Sequence, residues 1–295
     1  EMGTIAESFQ KLVAKTLLTS ASTNAFERHR GEIERRLESS FAVAKFLVIG
    51  SFERGSAVAG VSDLDLLVVL KSQELSFASS GALKRSDTVL SKVRDNLLAR
   101  FPLTEIGRDG QAVAVHFSDG CSVDVVPAGY VGPLQTGWPL YRIPDGCGDW
   151  MGTAPDTHGR YIRDGDAASG GKLKSVARIL KYWAQTREVP LPLSGFHVEL
   201  LLTQEGTCAP GQTLSKCVEQ ALGLLAQREC RALQDPCGVS GLIRAASTDA
   251  QRDRLYGSVN QSAGWASKAC AYEALGNPAE ARRYWQMVFN QGFPS

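Results

Sequence analysis

No excess of either charge is present: 32 Lys and Arg stand against 31 Asp and Glu over 295 residues, a formal net of +1. No global field therefore draws the chain to nucleic acid or to an anionic membrane, and any phosphate binding must be local. Long hydrophobic runs are also missing. None approaches the roughly 18 residues of a membrane span, and the first segment, EMGTIAESFQKLV, has no charged region followed by an apolar one. Neither a span nor a secretory signal is expected, and a cytoplasmic protein is. The seven cysteines, at 121, 147, 208, 217, 230, 237 and 270, include no CxxC pair and no CxH spacing. An odd, scattered set argues against a disulfide framework and against a zinc ribbon. Reduced thiols are expected, with ordinary buried cysteines favoured over a site built from Cys208, Cys217, Cys230 and Cys237.

What is present suffices for a large core, since 43% of the residues are hydrophobic. Residues 1–40 show helical spacing through Phe9, Leu12 and Val13, then Phe26, Ile33 and Leu37 after a start signal at Ser22, Thr23 and Asn24. Strands are predicted over 42–49 and 63–70, a helix over 82–100, and a hairpin joining 111–118 to 121–127 through Asp119-Gly120, a pair suited to a type I′ turn. The Gly- and Pro-rich stretch 129–160 reads as a loop-rich strip beside a site. Helical segments dominate from residue 170 onward (171–188, 195–205, 213–234, 248–275 and 278–291), with Asn277-Pro278 as a cap and first helical residue, so a lobe boundary is expected near 165.

Two aspartates interrupt the second strand, SDLDLLVVL at 62–70. Residues two apart on a strand share a face, so Asp63 and Asp65 project together while Leu64 and Leu66 enter the core. Paired carboxylates repel unless a cation lies between them, and hard oxygen ligands at such positions suit Mg²⁺. Asp124 stands in a similar apolar strand, VDVVP, which the hairpin is placed to lay beside the first pair. Three carboxylates can hold two metal ions about 3.5–4 Å apart. Gly50-Ser51, about a dozen residues upstream, marks a turn from strand to helix whose backbone N–H groups suit β- and γ-phosphates. In the helix GGKLKSVARILKYWAQ, Leu173, Val176, Leu180 and Trp183 face one way and Lys174, Arg178 and Lys181 form a cationic stripe on another. Most such stripes are solvated faces.

These segments together resemble the DNA polymerase β-like nucleotidyltransferases and, within them, the bacterial CD-NTases, relatives of cyclic GMP-AMP synthase and oligoadenylate synthase. The resemblance rests on GSFERGS at 50–56, SDLDLLVVL at 62–70, VDVVP at 123–127, LKSVARILKYWAQ at 173–185, GFHVELLL at 195–202, DP at 235–236 and YWQMVFNQGFP at 284–294. It implies an α+β, two-lobed fold: a mixed-sheet catalytic lobe with N-terminal helices over 1–165, and a helical lobe over 166–295 that closes the nucleotide pocket. It implies that Asp63, Asp65 and Asp124 bind two Mg²⁺ ions, with Mn²⁺ a possible substitute, and that Asp124 accepts the hydroxyl proton. Gly50, Ser51 and Lys181 would hold the triphosphate. Ser194 resembles a phosphate-binding serine, although Gly195 intervenes before the aromatic residue, and Phe196 stands where a ring stacks on a base or simply joins the core. The implied activity joins nucleoside triphosphates, ATP and GTP among them, into a cyclic di- or trinucleotide that signals antiviral defence through a separate effector. No nucleic acid or membrane is required. The alternatives are template-independent nucleotide addition to RNA or another linear product, disfavoured by the near-neutral charge, and a catalytically silent module, disfavoured by carboxylates crowded on an apolar sheet.

Overall fold

Alternating apolar residues build a sheet in the first part of the chain, and helical spacing takes over in the second. The computed structural model describes residues 3–295. In order the elements are α1 (Ile5–Thr16), α2 (Ser20–Glu38), β1 (Val43–Ile49), α3 (Gly50–Arg54), β2 (Leu64–Leu70), α4 (Ser72–Leu75), α5 (Ser86–Arg100), β3 (Glu105–Asp109), β4 (Ala112–His116), β5 (Ser122–Pro133), β6 (Pro139–Pro144) and β7 (Trp150–Thr153). They continue as α6 (Pro155–Ala168), α7 (Leu173–Gln185), α8 (Gly195–Gln204), α9 (Leu214–Gln227), β8 (Leu233–Gln234), β9 (Leu242–Ile243), α10 (Asp249–Ala274) and α11 (Pro278–Val288). Two units emerge: Leu18–Gly159, and α1 together with Arg160–Ser295.

The first unit is a mixed sheet in the order β1-β2-β5-β4-β3, with β6 pairing β5 and β7 pairing β6. β1 runs antiparallel to β2, whereas β2 and β5 are parallel. Leu64, Leu66, Val68 and Leu70 share one face with Val113, Val115, Val123 and Val125 and pack against Ile33 and Leu37 of α2 and Val89, Leu90, Val93 and Leu97 of α5. Leu67 and Val69 face the other way, with Val126, Ala128, Tyr141 and Ile143. Both faces of β2 are covered, which is why its sequence is nearly continuous Leu and Val. Its six buried residues contribute on the order of 10 kcal/mol, ample to hold an aspartate in their midst.

The hairpin turn differs from the one its sequence suggests. Gly120 has positive φ (+85°) and Asp119 does not, Gly120 N–H donates to Phe117 O, and Phe117 N–H donates to Cys121 O. This is a three-residue loop, a type I turn closed by a left-handed glycine. The stretch 129–160 is also more regular than expected: it completes β5 and supplies β6, β7 and the start of α6. β5 runs on to Pro133, and Tyr141 packs against Val126 and Ala128 beneath it, so tertiary pairing overrides the Gly and Pro content.

In the second unit α1 sits in the helical core rather than with the sheet as expected. Phe9 meets Trp285 edge-on at 4.9 Å and Phe293 at 5.1 Å, and a capping box of Thr4 and Glu7 fixes where the helix begins. The aromatic cluster draws the N-terminal helix to the C-terminal one. The expected boundary near 165 falls inside α6, and the division comes at Gly159–Arg160. α2 starts at Ser20 under a Thr19 cap, slightly before the Ser22–Asn24 signal, whereas Asn277 caps α11 with Pro278 behind it as read from the sequence. All seven cysteines are free thiols. Among the described residues no helix is long and apolar enough to cross a membrane.

Candidate active site

Register places the aspartates. Asp65 on β2 pairs directly with Asp124 on β5, and Asp63 immediately precedes β2, level with Ser122. All three leave the sheet on the face opposite the Leu64, Leu66, Val123 and Val125 core. Asp63 is exposed, while Asp65 and Asp124 are half-buried. Loss of hydration raises the pKa of Asp63, against lowering by His116 and by a hydrogen bond from Ser122. Asp124 is pushed up to about 6, first by desolvation and then by the charges of Asp63 and Asp109. Crowding of like charge on a partly dry face is the condition a divalent cation relieves.

The aspartates are side by side on the sheet. Asp65 leans toward the β1–α3 turn, where a Cβ built on Gly50 would lie 1.8 Å from Asp65 Oδ2. Asp63 stands level with Ser122 on the neighbouring strand. Carboxylate oxygens grouped on one face suit hard divalent cations. Ser122, His116 and Asp109 were not singled out from the sequence; the signal for Ser122 is its place two residues before Asp124 on the same strand face.

Gly50 is required twice over. Its φ is +69°, in the left-handed region, and the Asp65 carboxylate occupies the space a side chain would need. Ser51 follows it in the first turn of α3, which is only five residues long, and Gly55 ends that turn with φ +72°. Gly50 and Ser51 thus adjoin Asp65, in keeping with the Ile49–Asp65 pairing between β1 and β2.

The ion-free site carries a stability cost with a defined pH dependence. An unfolded Asp124 ionises near 3.8 and the folded one near 6, so the folded state holds its proton longer. Stability from this group is therefore present below about pH 4 and is lost as pH rises through about 6. Asp124→Asn never ionises. It is expected to melt above the wild type in chelator at pH 7.5, by on the order of 1–3 kcal/mol, with the difference closing toward pH 4. Thermal melts at the two pH values check this.

In the helical unit, Lys181 on α7 is 8% exposed and its Nζ lies 2.9 Å from Oε1 of Glu199, which is fully buried on α8. Its side chain crosses the start of α8: a Cβ on Gly195 would meet Lys181 Cε at 2.1 Å and Nζ at 2.7 Å. Gly195 gives the lysine its path and so brings Lys181 beside Ser194. Ser194 is the N-cap of α8, its hydroxyl accepting from His197 N–H at 3.3 Å, which leaves the O–H free to donate. Phe196 is half-buried and packs against the helical core. The stripe on α7 is not solvated: Lys174 pairs with Asp166 at 3.6 Å, and Arg178 is 9% exposed, with burial lowering its pKa.

Residues 2–165 match the family described as the Second Messenger Oligonucleotide or Dinucleotide Synthetase domain. The chain belongs to this family. It is a CD-NTase, and as such a nucleotidyltransferase. The CD-NTase chain is similar to a probable cyclic nucleotide synthase of Bacillus cereus, 23% identical over 284 residues, covering 86% of this chain and 84% of that one. Its fold is similar to that of CdnC of Escherichia coli MS115-1, solved with ATP (18% identity, TM-score 0.71, 98% and 99% of the two chains). It is also similar to the Vibrio cholerae DncV cyclic AMP-GMP synthase, solved with the linear intermediate 5′ pppA(3′,5′)pG (11% identity, TM-score 0.74, 99% and 97%).

Proposed function

We propose that this CD-NTase condenses nucleoside triphosphates, ATP and GTP among them, into a cyclic di- or trinucleotide in a Mg²⁺-dependent reaction, and that the product signals to a separate effector in antiviral defence. The observation that carries the reading is the direct pairing of Asp65 with Asp124 beside Asp63 on one sheet face, with Gly50-Ser51 against Asp65. The bound states of the fold relatives support the substrate class: ATP in CdnC, and a linear dinucleotide triphosphate in DncV.

Asp63, Asp65 and Asp124 would hold the divalent ions, which supply charge neutralisation on the triphosphate and acidify the attacking hydroxyl. Gly50 and Ser51 orient the donor triphosphate through backbone N–H and hydroxyl donors. A ribose hydroxyl oxygen of one nucleotide forms the new bond to the α-phosphorus of the other, and the bond from that phosphorus to the pyrophosphate oxygen breaks. Asp124 takes the hydroxyl proton. Within the helical unit, Lys181 and Ser194 offer an ammonium and a hydroxyl of the kind that phosphate oxygens accept from. A second transfer of the same kind on the linear product closes the ring.

Purified protein given ATP, GTP and Mg²⁺ is expected to yield small nucleotides that resist phosphatase, read by chromatography and mass spectrometry. Phosphatase-sensitive chains growing on added RNA would establish the tail-adding reaction instead. Absence of turnover with every triphosphate mixture would favour a silent module.

A further inference from the structure

Strand order gives the aspartate-bearing face two sides. Gly50 and Ser51 follow β1 and adjoin Asp65, so the turn with phosphate-binding character lies on the β1 side. Crossing the sheet from there, Asp65 pairs with Asp124, Asp124 with Ala114 on β4, and Ala114 with Gly107 on β3. No bulky side chain rises from this row beyond Asp124, and a Cβ built on Gly107 would meet no atom within 4 Å. In the adjacent row Ser122 on β5 pairs with His116 on β4. Val113, Val115, Val123 and Val125 enter the core on the opposite face, so His116 and Ser122 project on the face of Asp65 and Asp124.

Phosphoryl transfer sets where the second nucleotide must lie. The attacking and leaving oxygens stand roughly in line through the phosphorus. With the donor's β- and γ-phosphates at the Gly50-Ser51 turn, pyrophosphate leaves toward β1. The attacking ribose hydroxyl then comes from the other side, over β5 and β4. The polar side chains that β3 and β4 present on that face are Glu105, Asp109 and His116. The two carboxylates offer no hydrogen to a nucleotide's oxygens, and His116 does. His116 is exposed and is the diagonal neighbour of Asp124 across the β4–β5 pair, roughly 7–8 Å away and within reach of a long side chain. Its ring is held, with Nδ1 lying 2.8 Å from Ser122 Oγ. A Ser122 hydroxyl proton donated to Nδ1 leaves the ring's own proton on Nε2, which Ser122 does not engage.

We infer that His116 is an acceptor-binding residue: its Nε2–H donates to a sugar–phosphate oxygen of the attacking nucleotide, and Ser122 holds the ring for that contact. This rests on the proposed seating of the donor triphosphate at Gly50-Ser51.

Two amide variants separate this role from a structural one. An Asn amide stands where Nδ1 does and keeps the bond to Ser122, whereas a Gln amide reaches the place of Nε2 and keeps the substrate contact. Calorimetric titration with non-hydrolysable ATP and GTP analogues in Mg²⁺ reads donor and acceptor binding without turnover, and the wild type is expected to bind a second analogue after the first. His116→Ala is expected to weaken the second event about 10-fold, the scale of one lost hydrogen bond, and to leave the first within about twofold. His116→Gln should recover the second event and His116→Asn should not. In turnover, His116→Ala should raise KM for the acceptor nucleotide far more than it lowers kcat, the mark of lost uniform binding. Melting temperatures confirm that each variant is folded. An unchanged second event in His116→Ala, recovery by His116→Asn in place of His116→Gln, or a wild type that binds one analogue only would overturn the inference. The two readings separate: normal product with unchanged binding in His116→Ala removes only the acceptor contact. The expected binding series without any nucleotide product removes only the proposed reaction.

Discussion

Asp65→Asn is expected to lower nucleotide synthesis by about 10³-fold or more, on the scale seen when a group central to transition-state charge is removed. Asp65 is the right residue to replace first, since it pairs with Asp124 and its carboxylate lies against Gly50. The amide is nearly isosteric, so the Gly50 turn keeps its neighbour and the sheet its register. What changes is charge. The variant should therefore fold with unchanged or improved stability in chelator while losing product formation, and circular dichroism melts beside a product assay would show the split. A variant that loses both would mean that Asp65 is a structural residue of the turn.

The second large effect is on stability. Lys181→Met removes the ammonium that faces Glu199 at 2.9 Å, in a place where the glutamate is fully buried and the lysine is 8% exposed. A buried carboxylate stripped of its cationic partner costs about 3–5 kcal/mol, far more than the intact pair contributes relative to an apolar replacement. Removing the other half as well relieves the penalty. If Lys181 also has the phosphate role proposed for it, the double variant Lys181→Met with Glu199→Gln is expected to regain most of the lost stability in denaturant titrations yet remain deficient in triphosphate binding. Full recovery of both would assign Lys181 to the fold alone. The exchange also accounts for Gly195: a side chain there would collide with the aliphatic end of Lys181.

Much of the catalytic unit was legible because its strands are covered on both faces. The runs around Asp63, Asp65 and Asp124 are so apolar that the charges stand out, and period-two alternation assigns their face directly. Lateral relations were less legible. Ser122 and His116 meet because β4 and β5 pair in one register, which a three-residue loop sets rather than the two-residue turn suggested by Asp119-Gly120. The strands β6 and β7 were hidden by Pro139, Pro144 and nearby glycines; β6 pairs with the far end of β5 and β7 with β6, a tertiary relation with no local signature. The placing of α1 was hidden for the same reason. Its apolar face is plain in the sequence, but the partners Trp285, Phe289 and Phe293 lie at the other end of the chain. In the helical unit the spacing of Lys174, Arg178 and Lys181 was visible, while their burial was not, since it depends on Asp166 and Glu199 meeting them from neighbouring segments.

The most direct measurement is anomalous diffraction from crystals soaked with Mn²⁺ and a non-hydrolysable triphosphate. The account predicts manganese peaks coordinated by Asp63, Asp65 and Asp124, with the phosphates reaching the Gly50-Ser51 turn. Manganese bound elsewhere, with these three carboxylates free of metal, would contradict it.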